Sequence, residues 1–452
     1  MSATPSLPRS LNRRTFLGAV GAAGAYGALV ACGGTSTPPG AAGAAPSSGA
    51  FGTGTAYEGP PVKLAFWNGF TGGDGPIMKK LVEEFNTANP NITVEMNTLQ
   101  WGDFYSKVPN AVSAGAGPEV AAMHIDQLAT NAARQVIIPL DEVADSLKYT
   151  ADDFDPTVWT AGIYKDHRYG IPLDVHPLGL YANKGQLTKA GITDLPTDDA
   201  GFQAAVTALQ GPGGVPQPFW VTATWPAHLM FTSLINQFGG SIYNPEGTKA
   251  LFNSQAGVDS LNWLTAFITS GASPQNVASD AQAQAFRQQR DSLTWDGIWM
   301  MNEWEKVDGL DWAAAAVPTI GEKPAVWASS HNLTITSQAA KDPNKLDAAR
   351  LFIAFISENS IEWAKSGQVP ARNSVRNSAE FAALPVQSTL AAQLPHAVFP
   401  PIIPGIGDVT TPTYETAVNE VILGKSKAKE ALDSAASKAD QLLADNRAKY
   451  GS

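Results

Sequence analysis

The chain has 452 residues, a formal net charge of −11, one cysteine and 12 tryptophans, and only 16% of its residues are charged. The acidic balance argues against a nucleic-acid binder, whose affinity for phosphate comes from clustered Lys and Arg, and a lone cysteine excludes an internal disulfide. The length exceeds what a single hydrophobic core serves and suits two lobes.

The first 31 residues read as an export signal. Arg13-Arg14-Thr15-Phe16-Leu17 is a twin-arginine pattern, followed by a weakly apolar run from Gly18 to Val30 that is interrupted at Gly21, Gly24 and Gly27. At about 13 residues the run is shorter than the ~20 that span a bilayer. Export by the general route fits the same segment. It ends in Leu29-Val30-Ala31-Cys32, which resembles a bacterial lipobox; such a cysteine takes a diacylglycerol on sulfur and becomes the first residue of the mature chain. Residues 32–61 are dominated by Gly, Ala, Ser, Pro and Thr. This composition buries too little surface to offset its ordering entropy, and a flexible tether is expected. Without Arg9, Arg13 and Arg14 of the signal, 27 basic residues face 41 acidic ones, a net charge of −14.

From Val62 the hydrophobic period alternates between strand and helix. Val62–Trp67 alternates as a strand; Ile77, Leu81 and Phe85 mark an amphipathic helix; Ile92–Met96 is a second strand. A helix entered at Trp101 is expected to kink or shorten at Pro109, and Val120–His124 is a third strand. This order predicts a parallel α/β sheet, whose ligands sit beyond the carboxyl ends of its strands. The stretch Tyr169–Gly191, YGIPLDVHPLGLYANKGQLTKAG, holds Asp174 and His176 between Pro172 and Pro177. Neither proline suits the middle of a paired strand, so the segment reads as a loop before an edge strand or as a crossing between two structural units. Helices follow at Phe202–Leu209, Leu229–Phe238, Gly257–Ile268 and Ala281–Arg290. Strands are expected at Trp312–Pro318 and Val326–Leu333. A long helix carries Leu346, Ala349, Ile353 and Ile356, a second crossing lies at Gly367–Arg372, and Lys425–Lys449 is helical.

From Val62 to about Tyr450 the chain resembles the extracellular solute-binding proteins (family 1) of carbohydrate ABC transporters, the cluster related to maltose-binding protein. The carriers are FWNGFTGGDG (66–75), EEFNTANPNITVE (83–95), GPEVAAMH (117–124), GIPLDVHPLGLYANKGQLTKAG (170–191), QFGGSIYN (237–244), DGIWM (296–300), DAARLFIAFIS (347–357) and GQVPARNSV (367–375). The resemblance implies an α/β, two-lobed periplasmic-binding-protein-like fold with discontinuous lobes and a hinge-bounded cleft. Residues 62–172 and 315–368 would form the N-terminal lobe, and 173–314 and 369–452 the C-terminal lobe. It implies a carbohydrate ligand, delivery to permease subunits, a monomer, no chemistry and no cofactor, with Cys32 as the membrane anchor. Ala182 stands where the family commonly carries a second tyrosine.

Sugars offer C–H faces for aromatic rings and hydroxyl rims for carboxylates, amides or Arg. Candidate contacts are therefore Trp67, Asn68, Phe70 and Asp74; Trp101 beside Asp103; His124 and Asp126; Asp174 and His176; Trp225; Trp295, Asp296 and Gly297; and Trp327 with His331. Arg372 is added from the family, which often has a cleft-lining arginine there. Trp159, Trp220, Trp263, Trp299, Trp304, Trp312 and Trp363 read as packing. A polyol or glycerophosphodiester is the alternative ligand. A glycoside hydrolase would draw a carboxylate pair from Asp126, Asp174 and Asp296, but that reading leaves the lipobox and tether unexplained. Six dispersed histidines without an HxxxH pair predict no metal site.

Overall fold

Along β1 (Val62–Asn68) Leu64, Phe66 and Asn68 turn inward in strict alternation, the period-2 signature of a strand covered on one face. The computed structural model describes residues 51–52 and 54–451; the export signal, Cys32 and most of the tether lie outside the described residues. After β1 come α1 (Gly75–Ala88), β2 (Ile92–Thr98), α2 (Trp101–Ser113), β3 (Val120–His124) and α3 (Ile125–Ala133). α1 buries Met78, Leu81, Val82 and Phe85. α2 forgoes one N–H donor at Pro109 yet continues to Ser113, because Phe104, Val108 and Val112 hold its buried face.

The chain then enters β4 (Ile171–Pro172) and the wholly buried β5 (Asp174–Asn183). Helices α4 (Ala227–Gln237), α5 (Gln255–Thr269) and α6 (Ala281–Arg287) lead to β6 (Leu293–Gly297), β7 (Trp312–Ala315), β8 (Val326–Ser329) and β9 (His331–Ile335). There follow α7 (Pro343–Glu358), α8 (Ser360–Ala364), β10 (Val369–Pro370), β11 (Ala397–Val398) and the terminal α9 (Ala428–Tyr450). The first sheet runs β2-β1-β3-β9-β4, with β9 antiparallel to β3 and β4; the second runs β10-β5-β8-β11, with β6 and β7 also on β5. Each sheet anchors its own apolar core, giving two α/β lobes. In the first, Phe352 of α7 meets Phe66 and Phe85 edge-on at 5.2 and 5.1 Å.

Three local features depart from the sequence reading. The segment expected as one strand over Val326–Leu333 breaks at Ser330: β8 pairs with β5 through Ser329 and His176, and β9 pairs with β3 through His331 and His124. Ala315 and Val326–Ser329 accordingly pair within the second sheet, and the chain passes to the first at Ser330. Pro177 sits inside a paired strand, opposite Ala328, whereas Pro172, opposite Asn332, is the last residue of β4. β5 tolerates Pro177 because its partners change there, from β8 to β6. The last part of the expected tether is packed: Phe51 is buried in the first core, and the Gly54 carbonyl accepts from buried Arg350 at 2.7 Å. Phe51 and Tyr57 pack on the first core, and with the Arg350 guanidinium they hold a stretch otherwise poor in apolar side chains.

Phe352→Ala removes a ring shared by α1, β1 and α7 and should cost ~3–5 kcal/mol of stability, read as a lower urea midpoint with an unchanged m-value.

Candidate ligand-binding site

Register brings three strands to one point. His124 ends β3, His331 opens β9 directly opposite it, and His176 lies in β5 opposite Ser329, two residues before His331. Beneath them Asp174 is fully buried. Its Oδ1 accepts from His176 Nδ1 at 2.9 Å and from the His331 backbone N–H at 3.0 Å; its Oδ2 accepts from His331 Nδ1 at 2.8 Å and from the Trp363 indole at 2.8 Å. Burial alone would raise its pKa, but His331, together with hydrogen bonds from His176 and His331, outweighs burial and holds the carboxyl well below the usual carboxylate range. Burial, reinforced by neighbouring His331, lowers His176 to about 4 and brings His124 well below its ordinary value, so both are neutral at pH 7. The third ring, His124, meets the Tyr105 hydroxyl through Nδ1 at 2.7 Å.

These rings form part of the wall of a cavity of about 610 Å³ between the lobes, within the ~300–1,000 Å³ range of small-molecule sites. Four tryptophans line it: Trp101, Trp225, Trp299 and Trp327. Two glycines let rings lie flat against backbone. A Cβ on Gly69 would stand 2.1 Å from the Trp101 ring, and one on Gly297 would stand 2.1 Å from the Trp299 ring. Asp74 also lines the cavity; its Oδ1 has no hydrogen-bond partner among the described residues, and burial raises its pKa to about 6. Gln368, buried in the same wall, leaves both amide atoms unpaired. At the rim Arg287 is paired with Glu303 at 2.7 Å, and Asp280 lies close by. Between the lobes, Asn302 of the second donates to the Gly73 carbonyl of the first at 3.4 Å.

Residues 71–362 match the family model described as bacterial extracellular solute-binding protein. The chain belongs to that family. A Brucella abortus (strain 2308) protein that carries a binding-protein name is 22% identical over 392 residues, covering 82% of this chain and 90% of its own. The GacH receptor of Streptomyces glaucescens, solved unliganded and with acarbose, superposes with a TM-score of 0.77 at 20% identity, covering 86% of this chain and all of its own. UgpB of Mycobacterium tuberculosis, solved with glycerophosphocholine, superposes with a TM-score of 0.72 at 19% identity over 86% and 99%.

In this solute-binding protein the cavity gathers Asp74, Trp101, His124, His176, Trp225, Trp327 and His331 from the sequence candidates. The others lie elsewhere. Trp295, at the middle of β6, is buried in the second core against Trp263, with ring centroids 5.5 Å apart. Asp296 is buried on the other face of β6, bound to Gln282 at 3.0 Å and the Gly297 N–H at 2.7 Å, and Gly297 serves by leaving room for Trp299. Phe70 packs behind the site against His331 and Trp363, and Asn68 is buried where its Oδ1 accepts from Phe70 N and Thr98. Trp67 packs beside the Phe104 core, and Asp126 binds Gln127. Asp103 pairs with Lys107 on the exposed face of α2. Asp174 stands behind the imidazoles, outside the cavity wall. Arg372 is paired with Asp153 at 2.6 Å over the Tyr149 ring, away from the cleft. The aspartates considered for a hydrolase are absent from the cavity wall.

Trp299, read from sequence as packing, lines the cavity instead. It lies two residues beyond the end of β6, and a position just past a strand end is the signal that points to it. Gln368, Arg287 and Glu303 carried no comparable signal. The histidines, dispersed in sequence, are three strands' worth of one cluster in space.

Burial raises the Asp296 pKa to about 7. A carboxyl whose folded pKa lies above its unfolded value makes the native state lose stability as pH rises from about 4 towards about 7. Asp296→Asn should remove that loss, the unpaired Gln282 Oε1 being free to accept from the new amide after a flip. Urea midpoints of the variant and parent should differ more at pH 7.5 than at pH 4.

Proposed function

We propose that this protein captures a mono- or oligosaccharide between its lobes and delivers it to the permease of an ABC importer. The observation that carries this reading is the wall of four tryptophans around a cavity studded with unpaired polar groups. Indole faces suit the C–H surfaces of a pyranose, and Asp74, Gln368 and the imidazole nitrogens suit its hydroxyl rim. The sugar ligands named for structural relatives, acarbose and alpha-D-tagatose among them, support the same class.

Charge favours a neutral ligand over the glycerophosphodiester alternative. Asp74, Asp280 and Glu303 outnumber Arg287 in the cavity wall, and that guanidinium is already engaged by Glu303. A phosphodiester would meet net negative potential there.

The LVAC motif supports attachment of the mature chain to the outer face of the cytoplasmic membrane through a lipid on Cys32, and Arg13-Arg14 supports twin-arginine export. Among the described residues no helix is long and apolar enough to cross a membrane. Cys32→Ser is expected to move the protein from the membrane fraction to the medium; retention on the membrane would refute the lipid anchor.

A thermal-shift screen of sugars should find a ligand that raises Tm, since binding at 100 times Kd adds ~2.7 kcal/mol of stability. With that ligand, Trp299→Ala should weaken binding by ~2 kcal/mol, as aromatic anchors do, while Trp295→Ala lowers Tm and leaves affinity in the folded fraction nearly unchanged. Stabilisation by glycerophosphodiesters and by no sugar would replace the sugar reading with the alternative.

A further inference from the structure

The three imidazoles of the cavity are held in a way that hydroxyl recognition does not require. One ring nitrogen from each of His124, His176 and His331 lies within 4.8 Å of the other two. Each ring also has a second partner on Nδ1: Asp174 Oδ1 for His176, Asp174 Oδ2 for His331 and the Tyr105 oxygen for His124. Aromatic packing limits ring rotation, with Trp101 4.2 Å from the His124 ring and Phe70 4.9 Å from the His331 ring, centroid to centroid. With Nδ1 of His176 and His331 turned to the two oxygens of Asp174, the Nε2 atoms lie on the opposite side of both rings. Tyr105 oxygen can accept from Nδ1–H of His124 as it does from the His124 backbone N–H, at 2.9 Å, which frees the third Nε2. Outer-shell acceptors on Nδ1 fix tautomer and orientation in this manner for metal-ligating histidines.

We propose that His124, His176 and His331 form a site for a divalent late first-row transition ion, for which zinc is the reference, with its open coordination position facing the solute cavity. Imidazole suits zinc, copper, nickel and iron among such ions. Three protein ligands plus one exchangeable position is the arrangement of open zinc sites. The nitrogens are at most 4.8 Å apart, so reaching the roughly 3.3 Å implied by Zn–N of ~2.0–2.1 Å takes no more than about 0.9 Å per ring. Asp74, Asp280 and Glu303 outnumber Arg287 in the wall and add a potential that favours a cation. Two ligands come from the first sheet and one from the second, so the ion would bridge the strands at which the chain passes between lobes. The open position would take an oxygen or nitrogen donor of the solute. The ion site stands without the sugar reading, because its probe is the metal alone.

Calorimetric titration of the chelator-treated full-length chain with Zn²⁺, in the absence of any sugar, should give about one equivalent bound at micromolar or tighter Kd. His176→Ala and His331→Ala should each weaken binding at least ~10-fold, with exposed His396→Ala as the unaffected control. Co²⁺ added to the parent chain should give the intense visible bands of a low-coordinate nitrogen site, a readout independent of whether any variant folds. A pale six-coordinate Co²⁺ spectrum, or zinc binding that survives both substitutions in folded protein, overturns the proposal.

Discussion

Asp174 is the group on which the rest of the site depends. A buried carboxylate is stable only when its lone pairs are met by donors of good geometry, and this one meets four: two imidazoles, one backbone N–H and one indole. The donors come from β5, β9 and α8, so satisfying one charge fixes the relative placement of three elements. The strands involved also carry the chain between sheets. Leu173 N–H donates to the His331 carbonyl at 2.8 Å, and Ala371 N–H donates to the Leu173 carbonyl at 3.1 Å. The crossing and the cavity floor are therefore one construction.

Around that floor the cavity is made by close approach of rings to backbone. Trp101 lies over Gly69 and Trp299 over Gly297, positions where a Cβ would collide with the indole. Each tryptophan can then present a face to the cavity while its other side stays packed. The two tryptophans come from opposite lobes, which also meet through the hydrogen bond from Asn302 to the Gly73 carbonyl. A solute held there touches both lobes, which is how binding energy becomes a preference for a closed form. The paired rim charges Arg287 and Glu303 leave the interior with more carboxylates than guanidinium groups, so selectivity comes from shape, stacking and hydroxyl contacts.

Much of the fold was legible because its signals are local. The period-2 alternation of β1, the four-residue spacing in α1 and the strand-helix order up to β3 follow from side-chain direction alone. The break at Ser330 was not legible: no glycine or proline interrupts Val326–Leu333, and only the identity of the neighbours, β5 for one half and β3 for the other, splits it. Pro177 misled for the same reason, since a missing N–H matters only if a neighbour wants it. Asp296 shows the limit for polar groups: a carboxylate beside a tryptophan looks like a sugar contact, but Gln282 and a backbone amide satisfy it inside the second lobe.

The sequence by itself determined the class of fold and the family, and among its candidate contacts it named seven of the residues that line the cavity. Tertiary structure alone decided which tryptophan of the pair Trp295 and Trp299 faces the cavity, because Trp295 lies within β6 over the second core and Trp299 lies in the turn beyond it. It also decided that three histidines far apart in the chain share one carboxylate-backed cluster. Strand register brings residues 124, 176 and 331 together, and register is set by pairing between segments that no local pattern connects.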